Sequence, residues 1–153
     1  MHIRRARVED LNTLVALCKA ALAETPYAAL PVDEALGRKV LLRAISAPTQ
    51  FCEVLEVDGA VVGVLIGCVD DIWWSTKKQA SDLVFYVQPA HRGRGGVLAR
   101  RFIGWARAQK GVALVGMSVS SGVNIKRVGK LLERLGLEHV GGMYLETSLC
   151  PTR

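Results

Sequence analysis

Leu11, Leu14, Val15, Cys18 and Leu22 recur at three- and four-residue intervals, the spacing of one apolar helical stripe. Glu9 and Asp10 ahead of them favour a helix N-terminus. His2 to Ala6 reads as a short strand before that helix, Thr25-Pro26 ends it, and Tyr27 to Pro31 is a loop. Leu36, Val40, Leu41 and Ala44 predict a second helix from near Asp33 to about Ala47, stopped by Pro48. The period then changes from helical to alternating. Phe51 to Val57 reads as a strand, Asp58-Gly59 as a hairpin turn and Ala60 to Asp70 as the long return strand. Asp71 to Gln79 is a polar connection carrying Trp73 and Trp74. Leu83-Val84-Phe85-Tyr86-Val87 is a buried strand, ended by Pro89, which has no N–H for a ladder. Leu98, Phe102, Trp105 and Ala106 then mark a helix ending near Gly111.

Ala113 to Val119 is the next strand, broken by Ser120-Ser121-Gly122. Ile125, Val128, Leu132 and Leu135 predict a short amphipathic helix whose other face carries Lys126, Arg127, Lys130 and Arg134, with Gly136 as its C-terminal cap. Leu137 to Val140 and Met143 to Leu149 are predicted closing strands around Gly141-Gly142. The order is β-α-α-β-β-β-α-β-α-β-β. Hairpins at the front and a crossover helix in the middle predict one α+β domain over residues 1–153, with a mixed, mostly antiparallel sheet flanked by helices.

Composition narrows this picture. Half of the residues are hydrophobic, and no repeat or low-complexity segment interrupts them. The longest apolar run, Ala60 to Val69, is about half the roughly 20 residues of a spanning helix, and no signal peptide opens the chain, so no membrane partner is expected. Cys18, Cys52, Cys68 and Cys150 have neither paired metal spacing nor disulfide density, and read as reduced thiols of a cytoplasmic protein. His2, His91 and His139 are scattered and suggest no metal site. The formal charge of +6 suits an anionic ligand, and nucleic acid equally.

The candidate chemistry lies between the buried strand and the helix after it. Arg92-Gly93-Arg94-Gly95-Gly96 combines glycines that permit close approach, free N–H groups at a helix start and two cations, which outlines an anion site. A phosphate-binding Walker turn needs Lys-Ser/Thr after its last glycine, where Val97-Leu98 stands; a dinucleotide fingerprint needs glycine at position 98. Both fail. The stretch instead resembles the coenzyme A pyrophosphate motif of the GNAT superfamily of N-acetyltransferases, Gln/Arg-x-x-Gly-x-Gly/Ala, with Arg92 first, Gly95 fourth and Val97 in place of the sixth residue. Ile3-Arg4-x-Ala6…Asp10-Leu11 resembles the family's opening strand and helix, and Leu131 to Leu137 resembles its late Leu-Tyr-Glu-Lys-Leu-Gly-Phe signature. The element order is also the family's, and the content is similar to members carried by bacteriophages.

The resemblance implies a GNAT fold, acetyl-CoA as cosubstrate without a metal, and an amine acceptor, either a small molecule or a protein amino group. It implies that the central strand and the one after it splay apart around pantetheine. Backbone groups near Tyr86 and Val87 would hold the pantetheine and polarise the thioester. The N–H groups of Arg92, Gly93, Arg94, Gly95, Gly96 and Val97 would hold the pyrophosphate, helped by the Arg92 and Arg94 side chains. Asn124, one residue ahead of the family's helix-opening Asn, is a further coenzyme-side candidate. Asp82, early on the central strand, is the expected general base, with Glu53 and Glu56 as alternatives. The family's thiol-protonating Tyr is replaced by Leu132, so Tyr144, Tyr86, a Cys or water would substitute as the acid.

Trp73, Trp74, Tyr27 and Leu30 border the acceptor side in such a fold; core packing or a homodimer contact competes there with an acceptor wall. Two other function classes remain. Leu132 and Val97 suggest a fold kept without chemistry, an acyl-CoA-binding or regulatory protein. Arg100, Arg101, Arg107, Lys110, Lys126, Arg127 and Lys130 suggest a nucleic-acid partner, although no recognised nucleic-acid motif accompanies them.

Overall fold

The structure is a computed structural model and describes residues 1–119 and 121–146. The chain runs β1 (His2–Arg5), α1 (Leu11–Ala23), α2 (Glu34–Ser46), β2 (Gln50–Val57), β3 (Ala60–Asp71), β4 (Lys78–Val87), α3 (Gly96–Arg107), β5 (Val112–Gly116) and α4 (Ile125–Arg134). Asp33 caps α2, its carboxylate accepting from the Leu36 N–H, as a helix start requires. The strands lie in the order β1-β2-β3-β4-β5, antiparallel up to β4 and parallel between β4 and β5. This is the mixed, mostly antiparallel α+β architecture expected from the element order. No described helix is long and apolar enough to cross a membrane.

Helices cover both faces of the sheet, which explains why β3 reads as an unbroken apolar run rather than an alternating one. Cys52, Val54, Val64 and Ile66 face α1 and α2, where Leu14, Leu17, Leu41 and Ala44 complete one core. Phe51, Leu55, Leu65 and Ala80 face α3 and its Leu98, Phe102 and Ala106 in a second core. Asp58 and Gly59 both have positive φ, the geometry of a tight hairpin that matches strand twist. Arg4 ties the front of the domain together, donating at 2.7 and 2.9 Å to Asp10 and at 2.9 Å to Glu56. That guanidinium holds the Asp10 carboxyl below the usual carboxylate range.

Two departures from expectation matter. β4 begins at Lys78, earlier than its apolar run, because Lys78 to Ser81 pairs with strands on both sides. Midway it carries a bulge: Ile66 faces Val84 but Gly67 faces Asp82, which leaves Leu83 without a partner. A side chain at Gly67 would put its Cβ 2.4 Å from Phe102 Cε2, so the glycine is what lets α3 pack directly on the bulge. At the other end of the chain, α4 closes in a Schellman cap, with Gly136 at φ +87 and the Leu137 N–H donating to the Leu132 carbonyl at 3.1 Å. The segment 137–146 that follows carries no strand; Val140 is 92 % exposed and no ladder satisfies the backbone there. The end of the expected final strand, residues 147–149, lies outside the described residues.

Candidate functional site

β4 and β5 share a ladder only from Lys78 to Ser81 on one strand and Val112 to Gly116 on the other. Beyond it they part, and a cleft of about 500 Å³ opens between them. One wall is β4 from Asp82 to Val87; the other is Ser118, Val119, Ser121 and the start of α4. The end of α1, including Cys18 and Glu24, borders it as well. Because β4 has lost its neighbour here, its outer edge carries backbone groups that no ladder pairs among the described residues. Gln88 donates to the Val62 carbonyl on the β3 side at 2.9 Å. By the alternation of an antiparallel ladder, Tyr86 also points its amide at β3, and Phe85 and Val87 offer theirs to the cleft.

The glycine turn stands at the mouth. Gly93 takes φ +96, a conformation that favours glycine, and Gly95 packs against Phe85 and Val87, where a Cβ would lie 3.0 Å from the ring and from Val87 Cγ2. The first helical hydrogen bond of α3 runs from the Ala99 N–H to the Gly95 carbonyl. The N–H groups of Gly96, Val97 and Leu98 therefore have no carbonyl within the helix, and they sit at its positive dipole end.

Glu24 crosses from the end of α1 to this turn. Its carboxylate accepts from the Tyr86 hydroxyl at 3.3 Å and pairs with the Arg92 guanidinium. Burial, together with the Glu24 charge beside it, raises the Tyr86 phenol above its ordinary range. Glu24 is a cleft residue that periodicity did not single out. A signal existed, since an acid in the last turn of a helix opposes the dipole and calls for a cation nearby.

Asp82 stands on β4 next to the bulge at Leu83, where β4 and β5 part. One of its oxygens accepts the Ser118 N–H at 2.8 Å, bridging the strands at that point. Burial raises its carboxyl above the usual carboxylate range, opposed in part by the Ser118 bond. The alternatives on β2 are committed elsewhere: Glu53 pairs with Arg101 and Glu56 with Arg4. Neither lines the cleft. Cys18 does, and burial pushes its thiol up to about 11, which keeps it protonated at neutral pH.

Of the other expected residues, Tyr86, Val87, Arg92, Gly93, Gly95, Gly96 and Asn124 come together along this cleft with Asp82. Arg94 and Val97 face solvent outside its lining, and Tyr144, 97 % exposed, is not brought to it. Leu132 is buried beneath α4 rather than turned to the cleft; Val128 and Leu131 take that side. Tyr27 lines the cleft, whereas Leu30, Trp73 and Trp74 are exposed and outside its lining, the two tryptophans 88 % and 71 % so, which removes them from the core.

A sheet whose fourth and fifth strands part around a cleft, followed by a glycine turn at the head of the crossover helix, places the chain in the fold of the GNAT-type acetyltransferases. A predicted acetyltransferase with acetyl-CoA from Clostridium acetobutylicum superposes with a TM-score of 0.72 at 15% identity, over 95% of this chain and 94% of that one. A GCN5-related N-acetyltransferase from Ralstonia eutropha gives 0.69 at 21% identity, over 95% and 97%. An aminoglycoside antibiotic 6'-N-acetyltransferase from Acinetobacter haemolyticus gives 0.69 at 16% identity, over 95% and 97%. All three sources are bacteria and lend the phage resemblance no support. No protein-family model matches the chain, and no curated protein sequence matches it either.

Proposed function

We propose that the protein is an N-acetyltransferase that moves the acetyl group of acetyl-CoA to an amine by direct attack within a ternary complex. The observation that carries this reading is the conjunction, in one cleft, of an open strand edge, a glycine turn at a helix head and the half-buried Asp82 carboxyl. The GNAT-type fold supports it, as does the acetyl-CoA named with the Clostridium acetobutylicum structure. Pantetheine lies along the open edge of β4, accepting and donating at Phe85 and Val87. The pyrophosphate sits at the head of α3, with Arg92 beside it.

Asp82, its carboxyl raised toward working pH, removes a proton from the incoming ammonium or from a water next to it. The freed nitrogen lone pair attacks the thioester carbon, and the negative charge that develops on oxygen meets the β4 amides. Preorganised donors of this kind typically lower a barrier by ~3–4 kcal/mol. As the adduct collapses, the attacked nitrogen sheds its second proton to solvent water, the carbon–sulfur bond breaks, and the thiolate leaves and takes a proton from solvent. A thiol with an ordinary pKa of about 8.5 needs no dedicated acid, which accommodates a leucine at position 132 and an exposed Tyr144.

Acetyl-CoA at 100 times its dissociation constant adds about 2.7 kcal/mol of stability, which raises the melting temperature of a domain this size by roughly 5–10 °C. Free-thiol release from acetyl-CoA across a panel of primary amines then reads the chemistry. A thermal shift without thiol release from any amine would favour a coenzyme-binding protein without turnover. The absence of any shift at millimolar acetyl-CoA would remove the assignment altogether.

A further inference from the structure

Several cations of α3 and α4 are left unused by the chemistry above, and the fold lines them up. Gly96, Arg100 and Arg107 are spaced by close to whole turns, so they share one side of α3. Gly96 meets α4 on that side: a Cβ there would stand 3.1 Å from Leu131 Cδ1. Near the far ends, Arg107 Nη2 lies 3.6 Å from where a Cβ on Gly136 would stand, just past α4. The two helices therefore run side by side in the same sense, with Arg100 and Arg107 along their junction. Lys126, Arg127, Lys130 and Arg134 surround a shallow depression of about 340 Å³ on the adjoining face of α4. Arg127 carries the row up to the glycine turn, its Nη2 3.3 Å from where a Cβ on Gly93 would stand.

All of these cations are exposed, and none has a carboxylate partner among the described residues, where Arg4, Arg38, Arg92 and Arg101 each hold one. The arrangement is unfavourable for the free protein. Lys126, Lys130 and Arg134 repeat at four-residue intervals, where like charges repel. The first turn of α4 holds no acid to offset Lys126 and Arg127, and cations are disfavoured at that end. Beyond Val97 and Ile125 in their first turns, neither helix exposes a large apolar side chain. The surface therefore gives a bilayer or a protein partner little to anchor on. It exposes no aromatic ring on which an unpaired base could stack. What remains is charge in two rows on rigid helices, complementary to a stiff and regular polyanion.

We propose that the paired outer faces of α3 and α4 dock the phosphate backbone of a duplex polynucleotide, without regard to its base sequence. Arg100, Arg107, Lys126 and Lys130 carry the contact, and all four stand outside the lining of the cleft. The proposal is thus independent of the acetyl-CoA reading. Successive cations of α4 rise by about 6 Å along its axis, so neighbouring side chains reach separate phosphates of one strand. Arg100 and Arg107, on the parallel helix, extend the contact sideways. Each cation that meets a phosphate displaces a condensed counter-ion, and the release of those ions drives binding. The formal charge of +6 on the whole chain favours the encounter.

Fluorescence anisotropy of a labelled mixed-sequence DNA duplex of about 20 base pairs, titrated with the full chain between about 50 and 200 mM salt, tests this. Wild type binds, and log K falls against log salt with a slope of about −4 to −5, each neutralised phosphate contributing about −0.9. In Arg100→Gln/Arg107→Gln/Lys126→Gln/Lys130→Gln the slope is shallower by about 3, and affinity at the lowest salt drops about 10-fold or more. Lys126→Gln/Lys130→Gln alone gives about half of that change in slope, which keeps the test intact should the fourfold variant fail to fold. Thermal melts of folded variants match or exceed wild type, because like charges have been removed. No duplex binding by wild type at the lowest salt, or a slope unchanged in the variants, overturns the proposal. So does displacement of the duplex by millimolar acetyl-CoA, which would assign these cations to the coenzyme. Retention of polyglutamate or of phosphatidylserine vesicles in place of the duplex overturns it in favour of an acidic protein or a membrane. A wild type that ignores acetyl-CoA but holds the duplex removes the acetyltransferase reading and leaves this one standing.

Discussion

Asp82→Asn lowers turnover by roughly 100-fold or more while leaving the affinity for acetyl-CoA unchanged, the signature of a group that acts on the reacting proton rather than on coenzyme binding. Asparagine suits the test because its amide oxygen can keep the Ser118 N–H contact at the point where β4 and β5 part. In wild type, kcat/KM rises with pH as the Asp82 carboxyl ionises, with its midpoint above the ordinary carboxylate value because burial favours the neutral form. The variant lacks that inflection. Stability moves in the opposite sense. The folded protein holds this proton more tightly than the unfolded chain, so the contribution is fully present below the unfolded carboxyl pKa and is lost as pH rises through the folded one. Urea titrations across that window show wild type losing stability that the asparagine variant does not lose. An unchanged rate in Asp82→Asn would transfer the proton to a water chain or to Glu24, the other carboxylate lining the cleft.

Gly96→Asp separates coenzyme binding from folding. At Gly95 the same substitution would force a Cβ to within 3.0 Å of the Phe85 ring, so lost binding there could reflect a disturbed fold. At Gly96 the nearest neighbour is the end of a flexible side chain, Leu131 Cδ1 at 3.1 Å. A carboxylate in the first turn of α3 favours the helix dipole by ~0.3–1 kcal/mol, and replacing glycine in a helix adds to that. The free protein therefore keeps its stability or gains slightly. The same charge faces the pyrophosphate, and acetyl-CoA affinity falls by about 100-fold or more, as expected when a repelling anion replaces an approach lined with N–H donors. Calorimetric titration with acetyl-CoA beside a urea melt reads both quantities. Wild-type affinity in the folded variant would move the pyrophosphate away from the head of α3.

The order of elements up to α4 was legible because each carries its own signal: a helical stripe in α1, a capping Asp33 before α2, Asp58-Gly59 between β2 and β3. The first half of β4 was not. Lys78-Gln79-Ala80-Ser81 has no apolar alternation, and its strand character comes from pairing with β3 and β5 at once. The glycine turn and Asp82 could be named from residue type and position, yet only the fold brings the carboxyl to the Ser118 N–H where the two strands part. Leu132 was misleading in register. A stripe of Ile125, Val128, Leu132 and Leu135 tells which side of α4 is apolar, but not that Val128 and Leu131 face the cleft while Leu132 turns beneath the helix. Glu24 escaped because its two partners lie 62 and 68 residues further along the chain, beyond any local pattern.

The Glu24–Arg92 contact changes what the arginine of the turn contributes. In the free protein its guanidinium already has a counter-ion of its own, and Tyr86 shares that carboxylate. If the proposed pyrophosphate site is right, the arriving anion exchanges one partner for another at Arg92, so the free energy of that step is the difference between two pairings rather than the whole of the new one.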